Sequence, residues 1–70
     1  MGSPTIYKEV IDGRLVTAQP RRGYVEVKVF VGPTAAKDEE PVGHWDMPNT
    51  YRADLGAAAR QAAVQTPKES

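Results

Sequence analysis

From Tyr24 to Val31 the chain alternates without a break. Val25, Val27, Val29 and Val31 fall on one side of an extended strand, and Tyr24, Glu26, Lys28 and Phe30 fall on the other. Successive side chains of a strand point to opposite faces, so alternation this regular implies a sheet with one face buried and one face available. The rest of the chain has to supply the partners of that strand. Upstream, Thr5 to Ile11 reads as a first strand and Arg14 to Ala18 as its return. Between them Asp12-Gly13 provides two residues that tolerate the positive φ of a type I′ turn. A second connection, Gln19-Pro20-Arg21-Arg22-Gly23, carries a proline to set φ and a glycine to close the turn. Residues 5–31 therefore read as a β-meander.

Downstream, residues 32–41 hold Gly-Pro punctuation, an acidic run and no apolar side chain larger than Ala, the composition of an exposed loop. Val42 to Trp45 allows a short fourth strand, which Pro41 and Pro48 would confine to a sheet edge. Asn49 or Thr50 then offers a capping oxygen to a helix over residues 50–65, rich in Ala, Arg and Gln and stopped by Pro67. Residues 66–70 read as a frayed tail. On the helix, Tyr51, Leu55, Ala58, Ala59 and Ala62 share one stripe, which belongs against the valine face. The expected fold class is α+β: a three- to four-stranded antiparallel meander with one C-terminal helix packed on one face, and Trp45 filling the end between them.

Seventy residues make one small domain. Its core must be thin, because Leu, Ile, Val and Phe number only 13 against nine Ala. With no Cys there is no disulfide framework and no thiolate zinc site. Nine Lys plus Arg against nine Asp plus Glu leave a formal net charge of zero, which removes the basic excess of a protein that holds nucleic acid by charge alone. No apolar run reaches the roughly 18 residues of a membrane span and no leader pattern opens the chain, so the expectation is a soluble, cytoplasmic protein.

Chemistry-bearing residues are sparse. His44 is the single imidazole; Asp46 would share its side of a strand, but the pair lacks an orienting third group. Ser3 and Ser70 lie in the tails, and the glycines at 13, 23, 32, 43 and 56 are isolated rather than gathered into a phosphate cradle. Asp38, Glu39 and Glu40 lack the alternate-position oxygens of a calcium loop. The expectation is a non-enzyme that uses no metal and no cofactor.

A single helix covers a single face, so the face opposite the valines meets solvent or a partner. Tyr24, Phe30 and Lys28 occupy it, with Arg21 and Arg22 in the adjoining turn and Arg14 counted with them: aromatic anchors beside mobile cations. A protein partner is the leading expectation, of the kind met by accessory or inhibitor proteins of mobile elements. Nucleic acid held by the same residues is the alternative. The order of three strands followed by a helix is similar to that of the arm-binding domains of phage-type integrases, which implies a sheet laid in the major groove. A second small stripe, Ala53, Ala57 and Val64, on the far side of the helix supports a third reading, a dimerising subunit, so that the chain is expected as a monomer or a weak homodimer.

Overall fold

The computed structural model describes residues 6–36 and 38–67. Ser3, Thr5 and the tail residues 68–70 lie outside the described residues, as does Lys37 of the loop. Four strands, β1 (Tyr7–Ile11), β2 (Arg14–Arg21), β3 (Tyr24–Val29) and β4 (Gly43–Pro48), form one antiparallel sheet in the order β1-β2-β3-β4. A single 3-10 turn (Asn49–Ala53) leads to the helix α1 (Leu55–Gln65). The α+β meander with one C-terminal helix is therefore what the chain forms.

The first hairpin closes as expected, with Asp12 at φ 57° and Gly13 at φ 78°. The second is tighter than the five-residue connection expected from its composition. β2 runs three residues past Ala18, so that Arg21 pairs with Tyr24 and only Arg22-Gly23 turns, with Gly23 at φ 86°. Pro20 does not stop the strand for a geometric reason. In a two-residue hairpin the closing pair is the hydrogen-bonded one, so Pro20 opposite Val25 falls at a non-bonded position of this ladder.

At its other end β3 stops earlier than the alternation implied. The Leu15 carbonyl accepts the Phe30 N–H at 2.8 Å, while the Leu15 N–H goes on to the Gly32 carbonyl at 2.7 Å. Two bonds that a regular ladder takes from one residue are thus spread over three, and the chain bows out between them. Val31, expected among the buried valines, is 58% exposed. The fourth strand is longer than residues 42–45 and pairs along β3 from Val29 opposite Gly43 to Tyr24 opposite Pro48.

The helix also starts later than expected. Asn49 and Thr50 sit in the 3-10 turn, which has no side-chain cap. Asp54 breaks the run with φ −147° and ψ 83°, and its Oδ1 accepts the Ala57 N–H at 3.1 Å as the N-cap of α1. The core forms where the alternation and the alanine stripe meet. Val16, Val25, Val27 and Val29 are fully buried against Ala58, Ala59 and Ala62. Tyr7, Ile11, Trp45, Tyr51 and Leu55 pack half-buried around that centre.

The C-terminal end of α1 is closed from the sheet. Arg14, buried on the helix-covered face, donates from Nη2 to the Ala63 carbonyl (2.9 Å) and from Nη1 to the Thr66 carbonyl (3.0 Å). A cation on carbonyls left open by the last turn also suits the negative end of the helix dipole. Thr66, assigned by composition to the frayed tail, is instead buried. Its Oγ1 donates to the Ala62 carbonyl (2.8 Å) and accepts the indole N–H of Trp45 (2.7 Å).

Candidate binding surface

The strand register sets out the open face in rows. Lys8, Thr17, Lys28 and His44 lie side by side across the four strands; Gln19, Glu26 and Asp46 form the next row, and Arg21, Tyr24 and Pro48 the one beyond. On the other side of the lysine row Val10 stands opposite Leu15, with Phe30 hydrogen-bonded to Leu15 through the backbone.

Glu26 organises the charge in the middle of this face. Its Oε1 accepts both Nε and Nη2 of Arg21 at 3.0 Å, and its Oε2 lies 2.8 Å from His44 Nε2. Asp46 Oδ1 stands 3.8 Å from the same imidazole nitrogen, so His44 and Asp46 do share a side, but the nearer partner comes from the neighbouring strand. Partial burial pushes the Glu26 carboxyl up. The hydrogen bonds from Arg21 and His44, with the positive charges of Lys28 and Arg21, outweigh burial and hold it below its ordinary value. This carboxylate is therefore spoken for. The side chains of Lys8 and Lys28 form no hydrogen bond or ion pair with the described residues, although Lys28 acts on Glu26 through space.

Between those two lysines runs a groove of about 350 Å³, lined by Ile6, Lys8, Leu15, Thr17, Gln19, Glu26, Lys28, Phe30 and Ala35. Leu15 is half-buried, and Phe30 is 8% exposed. Phe30, expected as an aromatic anchor of the open face, is instead largely buried and lines the groove together with Ala35 of the loop. Ile6 and Val10 are 44% and 51% exposed on the same side of the sheet, a further apolar margin.

A second, shallower cleft of about 450 Å³ lies at the β2–β3 turn and is lined by Gln19, Pro20, Arg21, Arg22 and Arg52. Of the residues expected to bind, Tyr24, Lys28, Arg21 and Arg22 are thus on or beside the open face. Arg14 is not: it lies on the opposite side of the sheet, inside the molecule. Its parity with Val16 and Ala18 already placed it there, and it stays buried because the end of α1 supplies acceptors for the guanidinium. Lys8, Leu15, Gln19 and Arg52 were not singled out from sequence. The first three follow once the alternation seen in β3 is applied to β1 and β2, whereas Arg52 reaches the turn only through the path of the 3-10 segment.

The second helical stripe is divided between two elements. Ala53 belongs to the 3-10 turn, on the far side of Asp54 from the helix. Ala57 is half-buried and Val64 is 81% exposed on α1.

No helix among the described residues is long and apolar enough to cross a membrane. Neither a protein-family model, nor a curated protein, nor a solved structure matches this chain.

Proposed function

We propose that the chain is a small non-enzymatic binding module that takes an extended protein segment in the groove of its open sheet face. The observation that carries this reading is the combination of an apolar interior, Leu15 and Phe30, with two uncommitted lysines on the rim, while the groove's own carboxylate is already neutralised. Such a site is complementary to an aliphatic or aromatic side chain flanked by carboxylates. Apolar contact supplies affinity and the lysines supply orientation and partner choice. An accessory or inhibitory role fits a module of this size that acts by occupying a partner.

The nucleic-acid reading retains less support than it had, since Arg14 is internal and Phe30 is covered. Self-association through the helix rests on Ala57 and Val64 without Ala53, a smaller contact than the stripe implied.

A peptide-display selection against the protein tests the groove. The expected winners carry an apolar residue next to Asp or Glu, and their affinity falls at least about tenfold in a Lys8→Glu, Lys28→Glu double variant, the loss of one charge-assisted contact or more. Winners without acidic residues, or binding indifferent to the double variant, would overturn the assignment.

A further inference from the structure

We propose that the cleft formed by Arg21, Arg22 and Arg52 is an oxyanion site that takes a phosphate monoester carried on a partner side chain. The site stands apart from the groove, with which it shares only Gln19 among its lining residues, so neither reading depends on the other.

Three of the five arginines of an electrically neutral chain line this one cleft, and no carboxylate lines it with them. Their states differ in a useful way. Arg21 is braced, because Nε and Nη2 are both bound to Glu26. Arg22 and Arg52 are exposed, and their side chains make no hydrogen bond or ion pair with the described residues. Both are nonetheless positioned by backbone. Arg22 sits in the two-residue turn closed by Gly23, and Arg52 sits in the 3-10 turn that follows β4. Two segments far apart in sequence therefore bring free guanidinium forks to the same cleft. Planar forks of this kind match the oxygens of a phosphate in pairs, which a single ammonium cannot do.

The surroundings decide between a single phosphate and a nucleic-acid backbone. Beside the cleft Glu26 holds Arg21, and Asp46, 66% exposed in its side chain, lies next to Glu26 in the same row of the open face. A polyanion running on from the cleft over the open face would meet these carboxylates, and the neutral chain offers it no long-range attraction. A lone dianion meets the three arginines, of which Arg21 alone is already paired with a carboxylate, Glu26.

The test is an NMR titration of the ¹⁵N-labelled protein with inorganic phosphate, then with a phosphoserine peptide, its unphosphorylated twin and a short oligothymidylate. Saturable shifts confined to Arg22, Gly23 and Arg52 are expected with phosphate and with the phosphopeptide, and none with the serine peptide. Arg52→Gln should weaken both about tenfold, the loss of one charge-assisted contact, and Arg52→Lys should recover only part of it. Arg52 is exposed, and unchanged melting of each variant separates lost binding from lost fold. Unsaturable shifts spread over the lysines, or shifts undiminished in Arg52→Gln, remove the site. Tighter binding of the oligothymidylate, with Tyr24 shifting as well, overturns the monoester assignment in favour of nucleic acid.

Discussion

At the scale of single residues, the end of α1 is held by three side chains from different parts of the chain. Arg14 caps the carbonyls of Ala63 and Thr66, and Trp45 holds the Thr66 hydroxyl in place. Arg14→Met would keep much of the buried stem but leave both carbonyls without their donors. It should cost about 2–4 kcal/mol in a urea melt, because buried acceptors lose their partners. Gly43 is the counterpart on β4. A Cβ there would stand 2.5 Å from Thr66 Oγ1 and 2.8 Å from its Cγ2. Thr66 cannot turn aside without giving up the bonds to Trp45 and Ala62. Gly43→Ala should therefore destabilise by about 1–3 kcal/mol, the usual range for overpacking. Gly32→Ala, whose Cβ would meet nothing closer than a carbonyl oxygen at 3.9 Å, should stay within about 0.5 kcal/mol, and similar losses at the two positions in the same melts would contradict the packing described.

At the scale of elements, the two faces of β3 and the start of α1 make separate demands. Val27 is fully buried between its neighbours on β2 and β4, so Val27→Ala should cost about 2–3 kcal/mol through lost burial and a residual cavity. Lys28→Ala, one residue on and facing out, should change stability by less than about 0.5 kcal/mol. Equal losses in urea would mean that the register is wrong. At the helix start, Asp54→Ala should cost about 1 kcal/mol because the Ala57 N–H loses its acceptor. Thr50→Ala should be close to neutral by thermal melting, since the 3-10 turn takes no side-chain cap.

At the scale of the whole molecule, the ion cluster across β2, β3 and β4 links stability to pH. Burial disfavours the charged form of Glu26, but hydrogen bonds from Arg21 and His44 and nearby positive charge lower its pKa on balance from the ordinary 4.5. Near and below that value the unfolded chain binds more protons at this position than the native one, so native stability falls as the pH falls. The contribution is fully present above the unfolded value and is lost on descending through the lower native one. Glu26→Gln should therefore flatten the acid limb of the urea midpoint plotted against pH, and an unchanged slope would show that another carboxylate sets it. For association, Val64 and Ala57 alone make a small apolar contact. Light scattering over a range of concentrations should give the mass of one chain, and Val64→Glu should alter the melt by only a few tenths of a kcal/mol; a wild-type dimer that the variant breaks would restore the self-association reading.

What the sequence determined by itself is what short-range patterns encode: an alternation of period two, an Asp-Gly turn and an alanine-rich helix with one apolar stripe. These depend on backbone sterics and on burial of one face, and they are enough for the meander, the helix and the side of the sheet that stays open. The ends of the elements were decided by competition with neighbours. β2 continued through Pro20 because the β3 register made its missing N–H harmless, and the helix waited for Asp54 because that side chain could cap it. The fates of Arg14, Phe30 and Arg52 were tertiary throughout. Arg14 is buried where a helix end distant in sequence accepts from both its Nη atoms, and Phe30 is buried in a groove that it shares with Ala35 of the loop. Arg52 joins Arg21 and Arg22 because the 3-10 segment crosses to the turn. No local pattern carries such facts, since each depends on what a distant segment places within a few ångströms.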